Sequence, residues 1–80
     1  WTLFPNPSRG FIYLDWQDRQ IFPGDELWIM NSSGQSIVKK TLEGDQNHLS
    51  LDLSGLPVGV YRIFLKQSEA LSVQEIVIYR

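Results

Sequence analysis

Leu49, Leu51 and Leu53 alternate with Ser50 and Asp52. An apolar-polar period of two is the pattern of a strand with one wet face, and it leaves no helical stripe. The same rhythm recurs along the chain. Ile12, Leu14 and Trp16 share a face within 11–16, Leu27 and Ile29 within 27–30, and Tyr61, Ile63 and Leu65 within 60–66, where Arg62 and Lys66 take the other side. The last strand is expected from about Val73 to Tyr79, with Ile76 and Ile78 competing with Val77 and Tyr79 for the inward face. Turn clusters separate these segments: Pro23-Gly24-Asp25, Asn31-Ser32-Ser33-Gly34, Gly44-Asp45-Gln46-Asn47 and Ser54-Gly55-Leu56-Pro57-Val58-Gly59. Residues 26–42 read as a β-hairpin closed by the Asn/Ser/Gly loop. No stretch carries apolar residues at 3.6 spacing over the length of a helix. Short strands with turn signals every 8–12 residues or so predict an all-β antiparallel sandwich of about seven strands. Its expected core is Ile12, Leu14, Leu27, Ile29, Leu49, Leu51, Tyr61, Ile63 and Leu65.

A chain of 80 residues holds one small domain. At that size folding buries only about 60–65% of the surface the unfolded chain exposes, which leaves little room for a deep catalytic cavity. Cysteine is absent, so disulfides, thiolate metal sites and cysteine nucleophiles are excluded together. Stability must come from packing, and ten aromatic residues (three Trp, three Tyr, four Phe) are available for it. The net charge of −2 offers no basic stripe for a nucleic acid or an anionic membrane. The apolar runs are a few residues long, against about 20 for a membrane-spanning helix. No basic-plus-apolar leader opens the stretch, so any export signal is expected upstream of it.

Chemistry is thinly represented. His48 is the sole histidine. As a general base it would need partners such as Ser50 and Asp52, but on an extended strand Asp52 lies about 13 Å along from it. A surface histidine is the expected reading. Asp15, Asp18, Asp25, Glu26 and Asp45 are scattered over loops and strand ends in no calcium-loop spacing and read as solvated turn acids. The glycine clusters lack the strand–loop–helix context of a phosphate cradle. No catalytic residue, metal site or cofactor is expected. The aromatics are different. If Ile12 and Leu14 face inward, Phe11 and Tyr13 face outward, and Trp28 opposes Leu27 and Ile29. Such rings can pack across strands or stack on sugars.

Three segments taken together resemble a known family. They are Leu3-Phe4-Pro5-Asn6-Pro7-Ser8-Arg9-Gly10 before a strand, Asn31-Ser32-Ser33-Gly34-Gln35 between two strands, and Leu56-Pro57-Val58-Gly59-Val60-Tyr61 before a further strand. In that order and spacing they resemble the type A C-terminal sorting domain of the type IX secretion system of Bacteroidota, over residues 3 to 80. The matching motif positions are Pro5, Asn6, Pro7, Gly10, Gly34, Leu56, Gly59 and Tyr61. The resemblance implies an immunoglobulin-like sandwich that is not an enzyme. It implies that 1–80 is a single C-terminal domain of a larger secreted protein. It also implies partners: the outer-membrane translocon and shuttle proteins of that system, and a sortase-like cysteine peptidase that commonly removes the domain. No nucleic acid and no direct membrane insertion are implied. The destination would be the cell surface or the medium, by way of the periplasm. The terminal strand Ile76, Val77, Ile78, Tyr79 and Arg80 would carry the translocon address. Many members end in a lysine-bearing strand, whereas here the positive charge is Arg80, preceded by an aromatic ring.

The residues themselves fit that picture. Pro5 and Pro7 fix φ and remove two backbone donors, so the opening segment is a stiff edge that cannot accept a full extra strand. Gly59 suits a positive-φ turn from which Tyr61 enters the core, its hydroxyl within reach of a backbone carbonyl as in a tyrosine corner. The alternative function is a carbohydrate-binding or adhesive β-sandwich module of a secreted enzyme that uses Phe11, Tyr13, Trp16 or Trp28 as a stacking platform.

Overall fold

The computed structural model describes residues 1–16, 19–44 and 46–80. Asp18 and Asp45, two of the scattered acids, lie outside the described residues. Seven strands follow one another, and the described residues contain no helix: β1 Thr2–Phe4, β2 Phe11–Asp15, β3 Glu26–Asn31, β4 Ser36–Thr41, β5 His48–Asp52, β6 Gly59–Gln67 and β7 Ala70–Ile78. One sheet has the order β1-β2-β5 and the other β4-β3-β6-β7, antiparallel throughout. This three-on-four division is an immunoglobulin-like sandwich in which the fourth strand joins the third rather than the fifth.

Alternation sets which residues meet between the sheets. Ile12 and Leu14 of β2, Leu27 and Ile29 of β3, and Tyr61, Ile63 and Leu65 of β6 are all buried. The competition within β7 resolves to Ile76 and Ile78, which are buried, while Val77 is half-buried and Tyr79 is exposed. Leu49 and Leu51 are half-buried against this core, and Leu53 is buried. The reason is position: β5 is the edge of its sheet, so its inner face is covered from one side only, whereas Leu53 turns under the sandwich end.

The connections at the β2–β3 end complete the core. Trp16, Ile21 and Leu42 are buried there. Leu42 donates its N–H to Asp25 O at 2.7 Å, Gly24 donates to Leu42 O at 3.1 Å, and Trp16 donates to Asn47 O at 2.9 Å. Asp25 departs from the expected solvated acid. It is buried, and its Oδ2 accepts from Phe22 N at 2.9 Å and from Gln67 Nε2 at 3.0 Å. Those bonds replace water around a carboxylate that would otherwise be costly to bury.

The β3–β4 loop follows the expected chemistry. Asn31 Oδ1 accepts from Ser33 N at 3.0 Å and Gln35 N at 2.9 Å, an Asx arrangement that folds the chain back. The β6–β7 hairpin was not signalled by glycine. Gln67 pairs with Ala70 across Ser68 and Glu69, so β7 starts three residues before Val73.

Candidate functional site

β1, β3, β5 and β7 end, and β2, β4 and β6 begin, at one pole of the sandwich, as the pairs Phe4–Tyr13, Phe11–Asp52, Asn31–Tyr61 and Gly59–Ile78 require. All three sequence motifs and the chain end are therefore gathered there, although Asn6 and Val77, for example, are 71 residues apart in sequence.

The opening segment joins the terminal strand. The Phe4–Pro5 and Asn6–Pro7 peptide bonds are cis. Asn6 Nδ2 donates to Glu75 O at 2.9 Å, and Asn6 Oδ1 accepts from Val77 N at 3.1 Å. Ser8 N donates to Val77 O at 2.8 Å, and Tyr79 N donates to Ser8 O at 2.9 Å, closing a parallel bridge between Ser8 and Ile78. Thus the outer edge of β7 is covered from Glu75 to Tyr79 rather than left open.

Ser8 is the residue that sequence reasoning missed. It is 1% exposed, its Oγ donates to Phe11 O at 2.7 Å and accepts from Gly10 N at 3.0 Å, and it holds the Pro-to-Gly turn in shape. A small hydroxyl residue between Pro7 and Gly10 was the only signal available. Gly10 has φ +132, and a Cβ there would stand 2.8 Å from Ser54 Cα. Its carbonyl accepts from Leu53 N at 2.7 Å, which fastens the opening motif to the turn after β5.

That turn holds the third motif. Leu56 is half-buried against the core, Gly59 has φ +155, and Tyr61 is 5% exposed. The Tyr61 hydroxyl donates to Pro57 O at 2.6 Å, the tyrosine-corner bond expected from the spacing. Arg80 returns to the same turn: its Nη2 donates to Ser54 O at 2.6 Å and Leu56 O at 2.7 Å. The guanidinium is docked on two carbonyls instead of hanging free. At the base of the turn Asp52 accepts from Ser54 N at 2.9 Å. The Ser54 hydroxyl first, and then this backbone N–H, hold the Asp52 carboxyl below the ordinary aspartate value. Gly34, with φ +85, sits in the β3–β4 loop of the same pole.

The pole also carries an aromatic surface. Phe4 and Tyr13, opposite one another in β1 and β2, stack with centroids 5.7 Å apart. Pro5, Pro7, Arg9, Phe11 and Tyr79 line an open cleft with Tyr13, and the Arg9 guanidinium lies 5.4 Å from the Tyr79 ring centroid. Three of the four rings expected for a sugar platform are already engaged. Trp16 is wholly buried. Trp28 has the ammonium groups of Lys39 and Lys66 at 5.0 and 4.9 Å from its ring. Phe4 and Tyr13 use ring faces on each other, which is cross-strand packing.

His48 is exposed on β5, opposite Asp15 of β2. Among the described residues no group of three or more His, Cys, Asp or Glu is placed to hold a metal. No curated protein matches the chain. Residues 2–79 match the secretion system C-terminal sorting domain, so the chain belongs to that family of type IX secretion signals, which engage that system's machinery and direct export to the cell surface or beyond.

Proposed function

We propose that this chain is a non-catalytic address at the end of a larger cargo, read at the motif pole by the outer-membrane translocon and shuttle proteins of the type IX system and then removed by a sortase-like cysteine peptidase. The observation that supports it is the convergence itself. Asn6 and Ser8 are bonded to Glu75, Val77 and Tyr79, and Arg80 to Ser54 and Leu56, so residues from both ends of the chain and from its middle form one surface. Core packing needs none of the exposed members: Pro5, Asn6, Pro7, Tyr79 and Arg80 all face solvent. A folded receptor can recognise such a composite surface only when the domain is folded. That would make the signal a test of folding as well as an address.

The test is a reporter protein carrying this chain at its C-terminus in a host with the type IX system, compared with the same fusion lacking Tyr79 and Arg80. The truncated fusion is expected to cross the inner membrane and accumulate in the periplasm. The isolated truncated domain is expected still to unfold cooperatively in urea, because every buried residue remains. Normal surface delivery of the truncated, folded fusion would overturn the reading.

A further inference from the structure

β7 changes its inward chemistry half-way along. Ile76 and Ile78 face the core, and the positions of the same parity upstream are Gln74, Ser72 and Ala70. Ser72 Oγ accepts from Arg19 Nη1 at 2.9 Å, and Gln74 Nε2 donates to Trp1 O. The apolar residues of this half, Leu71 and Val73, point outward and are 66% and 52% exposed. Behind them lies a row fixed by register: Val73 opposite Phe64, Phe64 opposite Trp28, and Trp28 opposite Lys39. Trp28, Met30, Phe64, Lys66 and Leu71 line an apolar groove on this outer face.

The edge beside the groove is open. Glu75 O, Val77 N, Val77 O and Tyr79 N all point to the outer edge of β7, where Asn6 and Ser8 meet them. By strand alternation the N–H and C=O groups of Leu71 and Val73 point the same way. β7 is the last strand of its sheet, and among the described residues no strand pairs with that half of its outer edge. Charge narrows what fits. Glu26 lies opposite Lys66 but is paired with Lys39 at 3.4 Å, so Lys66, opposite Leu71 on its other side, rests its ammonium 4.9 Å from the Trp28 ring centroid and makes no ion pair among the described residues.

We propose that the Leu71–Val73 edge, with Phe64, Trp28 and Met30 behind it, is a docking site for an extended, acidic segment of a protein partner, which adds as a fifth strand to the four-stranded sheet. Main-chain groups at a sheet edge are met by another extended backbone, alternate apolar side chains of that strand cover Leu71 and Val73, and a carboxylate reaches Lys66. The Leu71–Val73 edge lies toward the pole opposite the motif cluster, so it can be occupied while the address is read, and it stands whichever residues the translocon reads.

The experiment titrates the 80-residue chain, labelled with ¹⁵N, with a blocked six-residue peptide in which Val alternates with Glu and Thr. Saturable shifts are expected at the Leu71, Val73 and Phe64 amides and the Trp28 indole N–H. A peptide of the same composition with alternate amides N-methylated is expected not to bind. Lys66→Glu is expected to weaken the acidic peptide about tenfold and to strengthen a version with Lys in place of Glu by about the same factor. Val73→Lys should abolish binding while the spectrum keeps its dispersion. The proposal is overturned if millimolar peptide produces no saturable shift, if the N-methylated peptide binds equally, if the shifts map to β4 or β5, or if the chain alone self-associates through this edge.

Discussion

The N–H of Val77 donates to the side-chain Oδ1 of Asn6 at 3.1 Å, and the other half of the same amide donates to Glu75 O at 2.9 Å. A primary amide presents a donor and an acceptor much as a peptide unit does, so Asn6 stands in for one residue of a neighbouring strand. It covers the β7 edge where Pro5 and Pro7 have no N–H to offer. Asn6→Ala is expected to cost about 1 kcal/mol and to speed hydrogen exchange at the Val77 amide. Asn6→Asp keeps the acceptor and loses the donor, so Val77 should stay protected. Equal exchange at Val77 in parent and alanine variants would refute the stand-in role.

The two motif glycines separate two kinds of constraint. Gly10 has φ +132, and an added Cβ would stand 2.8 Å from Ser54 Cα and 3.0 Å from Ser54 N, backbone atoms that cannot swing aside. Gly34 has φ +85 with no heavy atom within 4 Å of the built Cβ. Gly34→Ala therefore meets only the cost of a left-handed backbone, about 1 kcal/mol. Gly10→Ala meets strain and overpacking together, about 3 kcal/mol or more. Urea midpoints of the two variants give the comparison, and equal losses would contradict the close approach at Ser54.

Tyr61 combines a buried ring with one bond from its hydroxyl to Pro57 O at 2.6 Å. Tyr61→Phe removes the bond alone and is expected to cost about 1 kcal/mol. Tyr61→Ala removes the ring from the core and is expected to cost about 3–5 kcal/mol. An alanine variant as stable as the parent in urea would place the ring outside the core.

What could be read from the sequence was what repeats locally. The period-two faces of β2, β3 and β6 put Ile12, Leu14, Leu27, Ile29, Tyr61, Ile63 and Leu65 inside, where they are buried. Leu42 and Ile21 escaped because they lie at the margins of elements, where no alternation marks a side chain as inward. Asp25 looked like a turn acid because its partner Gln67 is 42 residues away in sequence. The start of β7 was obscured by its own chemistry, since Leu71 and Val73 face outward and the hairpin turn has no glycine. Leu3 is the inward residue of a three-residue β1, too short to show a period. The motif positions were found by their resemblance, but that Asn6 and Ser8 bond to β7, and Arg80 to the Ser54 turn, depends on pairings between distant segments that no local pattern encodes.

The Asp52 carboxylate, at the end of β5, is stabilised by the Ser54 hydroxyl and the Ser54 N–H, which lower its affinity for a proton below that of an ordinary aspartate. In the unfolded chain these bonds are lost and the group returns to the ordinary value. Above that value both states are ionised, and the stabilisation is fully present. As pH falls, the unfolded chain takes up its proton first, so the contribution declines and is gone once pH is below the lowered native value. The group is fully exposed, so solvent keeps the effect small. Ser54→Ala removes the larger cause and leaves the N–H bond, so Asp52 is expected to titrate closer to the ordinary value in that variant. Carboxyl ¹³C shifts followed from pH 6 to pH 2 or so measure both curves. The stability difference between parent and variant should narrow with acidification over the same interval. Superimposable Asp52 titrations would show that the hydroxyl does not hold the carboxylate.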